Sequence, residues 1–123
     1  MLRDKLGRMN YSERTNRQPD FRIRYLWRPE AAEPFQHMRC DFAYFGDQEA
    51  HAYMIWPEFE TPDHDPVGES ASVPHVGTAT MWILDDNMRA FHRGRIAPAV
   101  RGHLVVGQKI IADVDVVEVL GLK

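Results

Sequence analysis

The last quarter of the chain, residues 101–123, constrains the fold more strongly than any other stretch. Apolar residues occupy alternate positions from Ile110 to Val116, and this period of two is typical of a strand with one buried face. The alternation shifts by one place at Val116–Val117, which predicts a β-bulge there. Gly107 separates this long strand from a shorter one that precedes it. The pattern therefore predicts a sheet in which the upstream strands pair with this one.

The composition is that of one domain. The chain has 123 residues, of which 44% are hydrophobic and 27% charged, enough for one core and too few for two. No apolar run approaches the roughly 20 residues that span a bilayer, and the charged start has no signal-peptide core. We therefore expect a cytoplasmic protein without a membrane partner. Its single cysteine, Cys40, agrees with a reducing compartment, and we expect a packed side chain rather than a nucleophile.

Charge is distributed unevenly along the chain. Residues 1–28 carry eight basic and three acidic side chains, residues 29–75 carry one and ten, and residues 76–123 carry six and five. A basic start could meet nucleic acid or an acidic protein, whereas the acidic middle would be repelled by phosphate. This distribution argues against binding of a nucleic-acid duplex across the whole surface.

Residues 1–20 are predicted to form an N-terminal arm. Leu2, Leu6 and Met9 have helical spacing, and a polar run follows them. A short helix and a partly disordered arm fit this pattern equally well. Residues 21–123 are then predicted to form a single β-barrel domain.

Short strands separated by turns account for most of that domain. Phe21–Trp27 alternates bulky apolar residues with arginines, which is the clearest strand pattern in the chain. Other strands are predicted at 39–45, 51–56, 76–84, 88–96 and in the last quarter, with a proline-rich loop at 57–74. Six or seven strands without a long helix predict an all-β fold, a small antiparallel β-barrel whose closure removes exposed edges.

Two groups of arginines are candidate partner-binding surfaces. The first lies along the exposed face of the first strand and the second near residue 90: Arg22, Arg24 and Arg28, then Arg89, Arg93 and Arg95. Arginines bind acidic protein surfaces or phosphates, and neighbouring aromatic residues can stack nucleic-acid bases. The alternative is a solvated face with cross-strand ion pairs, while the aromatic residues fill the core.

The loop at 57–74 contains the cluster that most resembles a metal site. Asp63, His64 and the more distant His75 offer carboxylate and imidazole ligands of the kind that bind Zn²⁺ or Mn²⁺. The alternative is an exposed loop without metal, because adjacent residues on such a loop rarely point the same way. The carboxylates of this region could instead cover a basic site on another protein: Glu58, Glu60, Asp63, Asp65 and Glu69.

Three stretches of the chain resemble the third, C-terminal β-barrel domain of elongation factor Tu. They are FRIRYLWRPEAAEPF at Phe21–Phe35, RCDFAY at Arg39–Tyr44 and GQKIIADVDVVEVL at Gly107–Leu120. The family has an aromatic-rich strand, an acidic connector, a Pro-Phe pair and a closing strand, and the matching positions include Leu26, Glu30, Pro34, Phe35, Arg39, Phe42, Lys109 and Ile111. The resemblance implies a stand-alone barrel like the non-catalytic part of a translation factor.

Three classes of function fit these features. The first is a non-catalytic binding module that contacts an acidic partner, protein or RNA, through either arginine group. The second is a small acidic inhibitor or immunity-type protein, and the third is a metal-dependent enzyme that uses the Asp63–His64 loop. Because no G-x-x-x-x-G-K-[ST] motif occurs, we expect no GTPase activity and no nucleotide. We also expect no cofactor. The sequence leaves the identity of the partner and the oligomeric state open.

Overall fold

The computed structural model describes residues 10–47 and 51–123, and a six-stranded antiparallel sheet dominates it. The strands are β1 (Phe21–Trp27), β2 (Asp41–Tyr44), β3 (Ile55–Phe59), β4 (Val76–Ile83), β5 (Arg101–Val106) and β6 (Lys109–Val119). The other described elements are α1 (Tyr11–Thr15), a 3₁₀ turn (Asp86–Met88) and α2 (Arg89–Arg93). The order across the sheet is β2-β5-β6-β1-β4-β3. The prediction of an all-β fold with six or seven antiparallel strands is confirmed, and the described residues form six.

Strand β1 lies inside the sheet, between β6 and β4. Its inward side chains are Phe21, Ile23, Tyr25 and Trp27, and none of them is more than 3% exposed. Burying a side chain of this size stabilises a fold by roughly 1.5–3 kcal/mol. The alternation in the sequence therefore fixes which face of β1 points into the core.

Two bulges shape β6, the strand that pairs with both β1 and β5. One places Val117 out of register opposite Arg22–Ile23, where the sequence predicts a bulge. The other lies opposite Leu104–Val105 and places Ile111 out of register. Ile111 and Ala112 are consequently both buried although they are consecutive. Bulges bend and twist a strand, so both of them favour a curled sheet.

The sheet curls into a half-barrel whose edge strands β2 and β3 approach each other. Tyr53, two residues before β3, forms an isolated antiparallel bridge with Phe42 through backbone hydrogen bonds of 2.8 and 3.0 Å. At the other end of β3, the Gln36 side-chain amide satisfies the backbone of the last strand residue. It donates to the carbonyl oxygens of Phe59 and Val67, and it accepts from the Phe59 N–H, at 2.8–2.9 Å. The backbone bridge thus connects the two edge strands, and Gln36 joins the β1–β2 connector to β3.

Two strand predictions are wrong. Residues 88–96 form no strand, because the Asp85 carboxylate accepts from the Asn87 N–H at 3.1 Å and caps a 3₁₀ turn that leads into α2. The strand predicted at 51–56 is shifted to β3, which takes Pro57 from the predicted loop. Proline is tolerated there because β3 is an edge strand of the sheet.

The described part of the N-terminal arm is packed against the sheet. Tyr11 of α1 is 4% exposed, and the fully buried Asp20 carboxylate accepts from the Ile83 N–H at 2.7 Å. The helical spacing of Leu2, Leu6 and Met9 lies outside the described residues. In the part of the chain that the structure describes, no helix has the length and apolar character needed to cross a membrane.

Candidate functional site

Arg22, the first member of the first arginine group, is held by carboxylates of neighbouring strands. Its Nε and Nη2 donate to the two oxygens of Glu60 at 2.8 and 3.0 Å, and its Nη1 contacts Glu118. Glu60 is buried and also accepts from the Thr78 hydroxyl at 2.9 Å. The hydrogen bond to Glu60 is the main reason why the pKa of Arg22 is raised. Arg22 is therefore part of the internal hydrogen bonding of the sheet.

Arg24 and Arg28 pair with carboxylates on β6. Arg24 donates to Asp115 at 2.5 Å, and Arg28 makes two hydrogen bonds of 2.9 Å to Asp113. The bidentate contact with Arg28 is the largest cause of the lowered pKa of Asp113. Carboxylates therefore largely neutralise the first arginine group. These contacts are the cross-strand ion pairs that were the alternative to partner binding.

The second arginine group does not form one patch. Arg89 contacts the buried carboxylate of Asp20, and Arg93 donates to the Leu122 carbonyl oxygen at 2.8 Å. Arg95 instead makes a bidentate ion pair in the turn after β2. Arg89 and Arg93 begin and end α2, whereas Arg95 follows its end, and the three guanidinium groups have different partners.

The structure does not bring the predicted metal ligands together. His75 precedes β4 and pairs with the Glu33 carboxylate at 2.5 Å, whereas Asp63 and His64 are exposed on their loop. Among residues 10–47 and 51–123, no group of three or more His, Cys, Asp or Glu side chains is placed to hold a metal ion. The described residues therefore offer no ligand set for the metal-dependent enzyme.

Three of the five carboxylates of the acidic region point into the protein. Glu60 pairs with an arginine as described above, and Glu58 and Glu69 hold His37 between them. The Nε2 of His37 lies 2.7 Å from Glu58, and its Nδ1 lies 2.5 Å from Glu69. Burial alone would lower the pKa of His37, but the two carboxylates outweigh that effect and raise it. This arrangement suits an imidazolium that donates from both ring nitrogens.

An open groove of about 700 Å³ lies between the connector from β1 to β2 and the hairpin of β5 and β6. We call it the hairpin groove. Three of its apolar side chains are strongly exposed: Phe35 at 59%, Val106 at 47% and Ile110 at 37%. A concave surface with clustered apolar side chains is typical of a binding site.

The hairpin groove also carries unpaired positive charge. The charged residues that line it are Arg28, Arg39, Lys109 and Glu30. Of these, Arg28 is already paired with Asp113. The Arg39 guanidinium lies 5.4 Å from the centroid of a tryptophan ring. Within residues 10–47 and 51–123, neither Arg39 nor Lys109 forms an ion pair. The groove therefore has two cations without an ion pair in the described part of the chain, Arg39 and Lys109, and one carboxylate, Glu30.

Backbone and side-chain hydrogen bonds hold the walls of the groove in place. The Trp27 indole donates to the Ala32 carbonyl oxygen at 2.8 Å, and the Arg28 N–H donates to the Ile111 carbonyl oxygen at 2.8 Å. The opposite wall ends in the two-residue turn Gly107–Gln108, where Gly107 has a φ of +60° that suits a tight hairpin. The groove is therefore formed before any partner binds.

Cys40 does not line the hairpin groove. Its side chain is buried, and burial raises the pKa of the thiol to about 12. Because the thiolate is the nucleophilic form, this cysteine is protonated and unreactive near neutral pH.

Comparisons with known proteins identify no relative. The chain matches no protein-family model, no curated protein and no solved structure. The resemblance of Phe21–Phe35 and Gly107–Leu120 to elongation factor Tu therefore stays a prediction from sequence motifs.

Proposed function

We propose that this protein is a non-catalytic binding module whose hairpin groove holds an acidic, partly apolar segment of a partner protein. One observation carries the proposal: exposed apolar side chains share the groove with Arg39 and Lys109, two cations without an ion pair in the described part of the chain. The predicted arginine groups have carboxylate or backbone partners instead. The groove therefore offers positive charge to a partner, whereas the arginines of β1 are already paired.

A protein segment matches the groove better than RNA does. Aliphatic or aromatic side chains of the segment can cover Phe35 and Val106, and its carboxylates can reach Arg39 and Lys109. RNA offers phosphates but no aliphatic groups to cover the apolar floor. The groove volume also falls in the range of roughly 300–1,000 Å³ that is usual for ligand sites.

The sequence resemblance to elongation factor Tu supports the same class of function. Its third domain is a non-catalytic barrel, which agrees with a binding role for this chain. A translation-linked partner rests on that resemblance alone, whereas the acidic character of the partner rests on the charges of the groove.

Selection from a random peptide display library tests the proposal directly, because it samples many segment chemistries at once. We expect the protein to enrich peptides that combine acidic and large apolar residues. Reversing the charge at both positions, with Arg39→Glu and Lys109→Glu together, should weaken binding of the enriched peptides by on the order of tenfold or more, about 1.4 kcal/mol. Their affinity should also fall as salt is added, because the attraction is electrostatic in part.

The matched control changes the same charge elsewhere. Arg14 and Lys123 are exposed and lie outside the groove, so Arg14→Glu with Lys123→Glu gives the same total charge and should leave peptide binding within about twofold. If selection enriches no acidic–apolar peptides, or if both double variants weaken binding equally, the groove does not have this role.

A further inference from the structure

A second pocket, of about 460 Å³, lies at the opposite end of β5 from the hairpin turn. It is bounded by the end of β2, the segment after α2 and the start of β5, and none of its lining residues lines the hairpin groove. Its polar and aromatic lining residues are Tyr44, Phe45, Arg95 and Arg101. We call it the arginine pocket.

Arg95 is a fixed wall of this pocket. Its guanidinium carbon lies 3.7 Å from the centroid of the Tyr44 ring, and two hydrogen bonds of 2.8 and 2.9 Å join it to Asp47. The hydrogen bonds from Arg95 are the main reason why the pKa of Asp47 is lowered. The charge of Arg95 is thus balanced within the protein, and its side chain contributes shape and hydrogen-bonding capacity.

Arg101 supplies the available charge. Its guanidinium carbon lies 4.5 Å from the centroid of the Phe45 ring, and it forms no ion pair with any residue in 10–47 or 51–123. Stacking on an aromatic ring orients a guanidinium while leaving its edge free to donate to an anion. Arg101 is therefore a positioned hydrogen-bond donor for an anion, and its charge has no partner among the described residues.

Phe45 supplies an exposed ring beside that charge. The side chain is 56% exposed, although its backbone is fixed by a 3.0 Å hydrogen bond from the Phe45 N–H to the Arg101 carbonyl oxygen. An exposed phenylalanine at a rigid position offers a face on which a planar group can stack. The surface thus places a stacking ring and a free cation within one pocket.

We propose that the arginine pocket binds a small ligand in which an anionic group is attached to a planar ring system, as in a nucleoside monophosphate. The anion contacts Arg101 and the ring lies against Phe45. This differs from the sequence expectation of no nucleotide, which rested on the missing glycine-rich loop. Stacked arginines bind phosphate or carboxylate groups without such a loop.

Titration of ¹⁵N-labelled protein with adenosine monophosphate at millimolar concentrations tests the proposal. We expect saturable shifts of the amides around Phe45 and Arg101, with weaker binding of adenosine or inorganic phosphate alone. Arg101→Gln should weaken binding by on the order of tenfold because it removes the free charge. Phe45→Leu should also weaken binding, because it removes the stacking ring but keeps the apolar volume.

Arg14→Gln is the control, because this exposed arginine lies outside the pocket and should leave the titration unchanged. The proposal is overturned if the pocket amides do not shift saturably, if Arg101→Gln binds as tightly as the unaltered protein, or if adenosine binds as tightly as the monophosphate. Equal binding of inorganic phosphate would overturn the role of the ring. None of these results bears on the hairpin groove, which has different lining residues.

Discussion

A single buried amide, Gln36, connects the connector between β1 and β2 to the edge of β3. Gln36→Leu keeps much of its volume but removes three hydrogen bonds to the backbone of Phe59 and Val67. We expect the free energy of unfolding, measured by urea denaturation, to fall by about 2–4 kcal/mol because buried polar groups lose their partners.

The control for this change is Gln108→Leu, the same substitution at an exposed turn position. Its effect on the free energy of unfolding should stay within about 0.5 kcal/mol. Equal effects of the two substitutions would contradict the role assigned to the Gln36 amide.

His92 makes folding sensitive to acid. It is 1% exposed and its Nδ1 lies 2.7 Å from the Tyr44 hydroxyl, which donates to it when the ring is neutral. Burial, followed by the charge of Arg95, lowers the pKa of His92 to about 4, while Asp20 opposes the shift. The stabilisation from a neutral His92 is therefore complete above the unfolded pKa, near 6.5, and is lost as pH falls towards 4.

Between pH 7 and pH 4, protonation of His92 should lower the free energy of unfolding by roughly 3 kcal/mol, since each unit of pKa shift corresponds to about 1.36 kcal/mol. Urea denaturation between pH 7 and pH 4 measures it in the unaltered protein and in His92→Phe, which cannot titrate. The variant should lack this part of the pH dependence, whatever its stability at pH 7. An NMR titration that gave His92 a pKa near 6.5 would show that its burial does not destabilise the protonated ring.

Residue-scale contacts of this kind could be predicted only in part. The outward position of Arg22 and Arg24 follows from the alternation in β1. The sequence leaves open whether they bind a partner or form cross-strand ion pairs. The two partners of His37 are 21 and 32 residues away along the chain, and no local spacing indicates that they meet. Such contacts depend on how separate loops fold over the sheet.

At the scale of elements, the sequence predicted strands well where one face is buried throughout. β1 has the predicted bounds, and the bulge at Val117 lies where the apolar alternation shifts. The error at 88–96 has a local cause, because the turn signal at Asp85–Asn87 starts a helical segment rather than a hairpin. The alternation alone does not distinguish a short helix from a short strand.

Gly102 in β5 is required for the close approach of β2. A Cβ at this position would lie 2.6 Å from the Ala43 carbonyl oxygen and 2.8 Å from the Phe42 ring. We therefore expect Gly102→Ala to lower the free energy of unfolding by roughly 1–3 kcal/mol, the usual cost of overpacking.

Gly68→Ala provides the comparison, because a Cβ there would have no neighbour within 4 Å. Thermal unfolding should show a clearly lower midpoint for Gly102→Ala and little change for Gly68→Ala. A midpoint for Gly102→Ala equal to that of the unaltered protein would show that β2 and β5 are not packed as described.

At the scale of the whole molecule, the fold class could be predicted but the candidate site could not. The antiparallel all-β class follows from the spacing of apolar runs and turns, although one predicted strand, at 88–96, is a short helix. The hairpin groove forms because the β1–β2 connector folds beside the tip of the β5–β6 hairpin, which brings Phe35 and Arg39 next to Val106 and Lys109. These residues are about 70 positions apart in the chain, and no sequence motif joins them.

Amide chemical-shift mapping with the tightest selected peptide tests whether the hairpin groove is the partner-binding surface. We expect the largest shifts at residues 35–39 and 106–111, with little change along the outer face of β1. The largest shifts around Arg22 and Arg24 would contradict it, because they would place the partner on the ion-paired stripe instead.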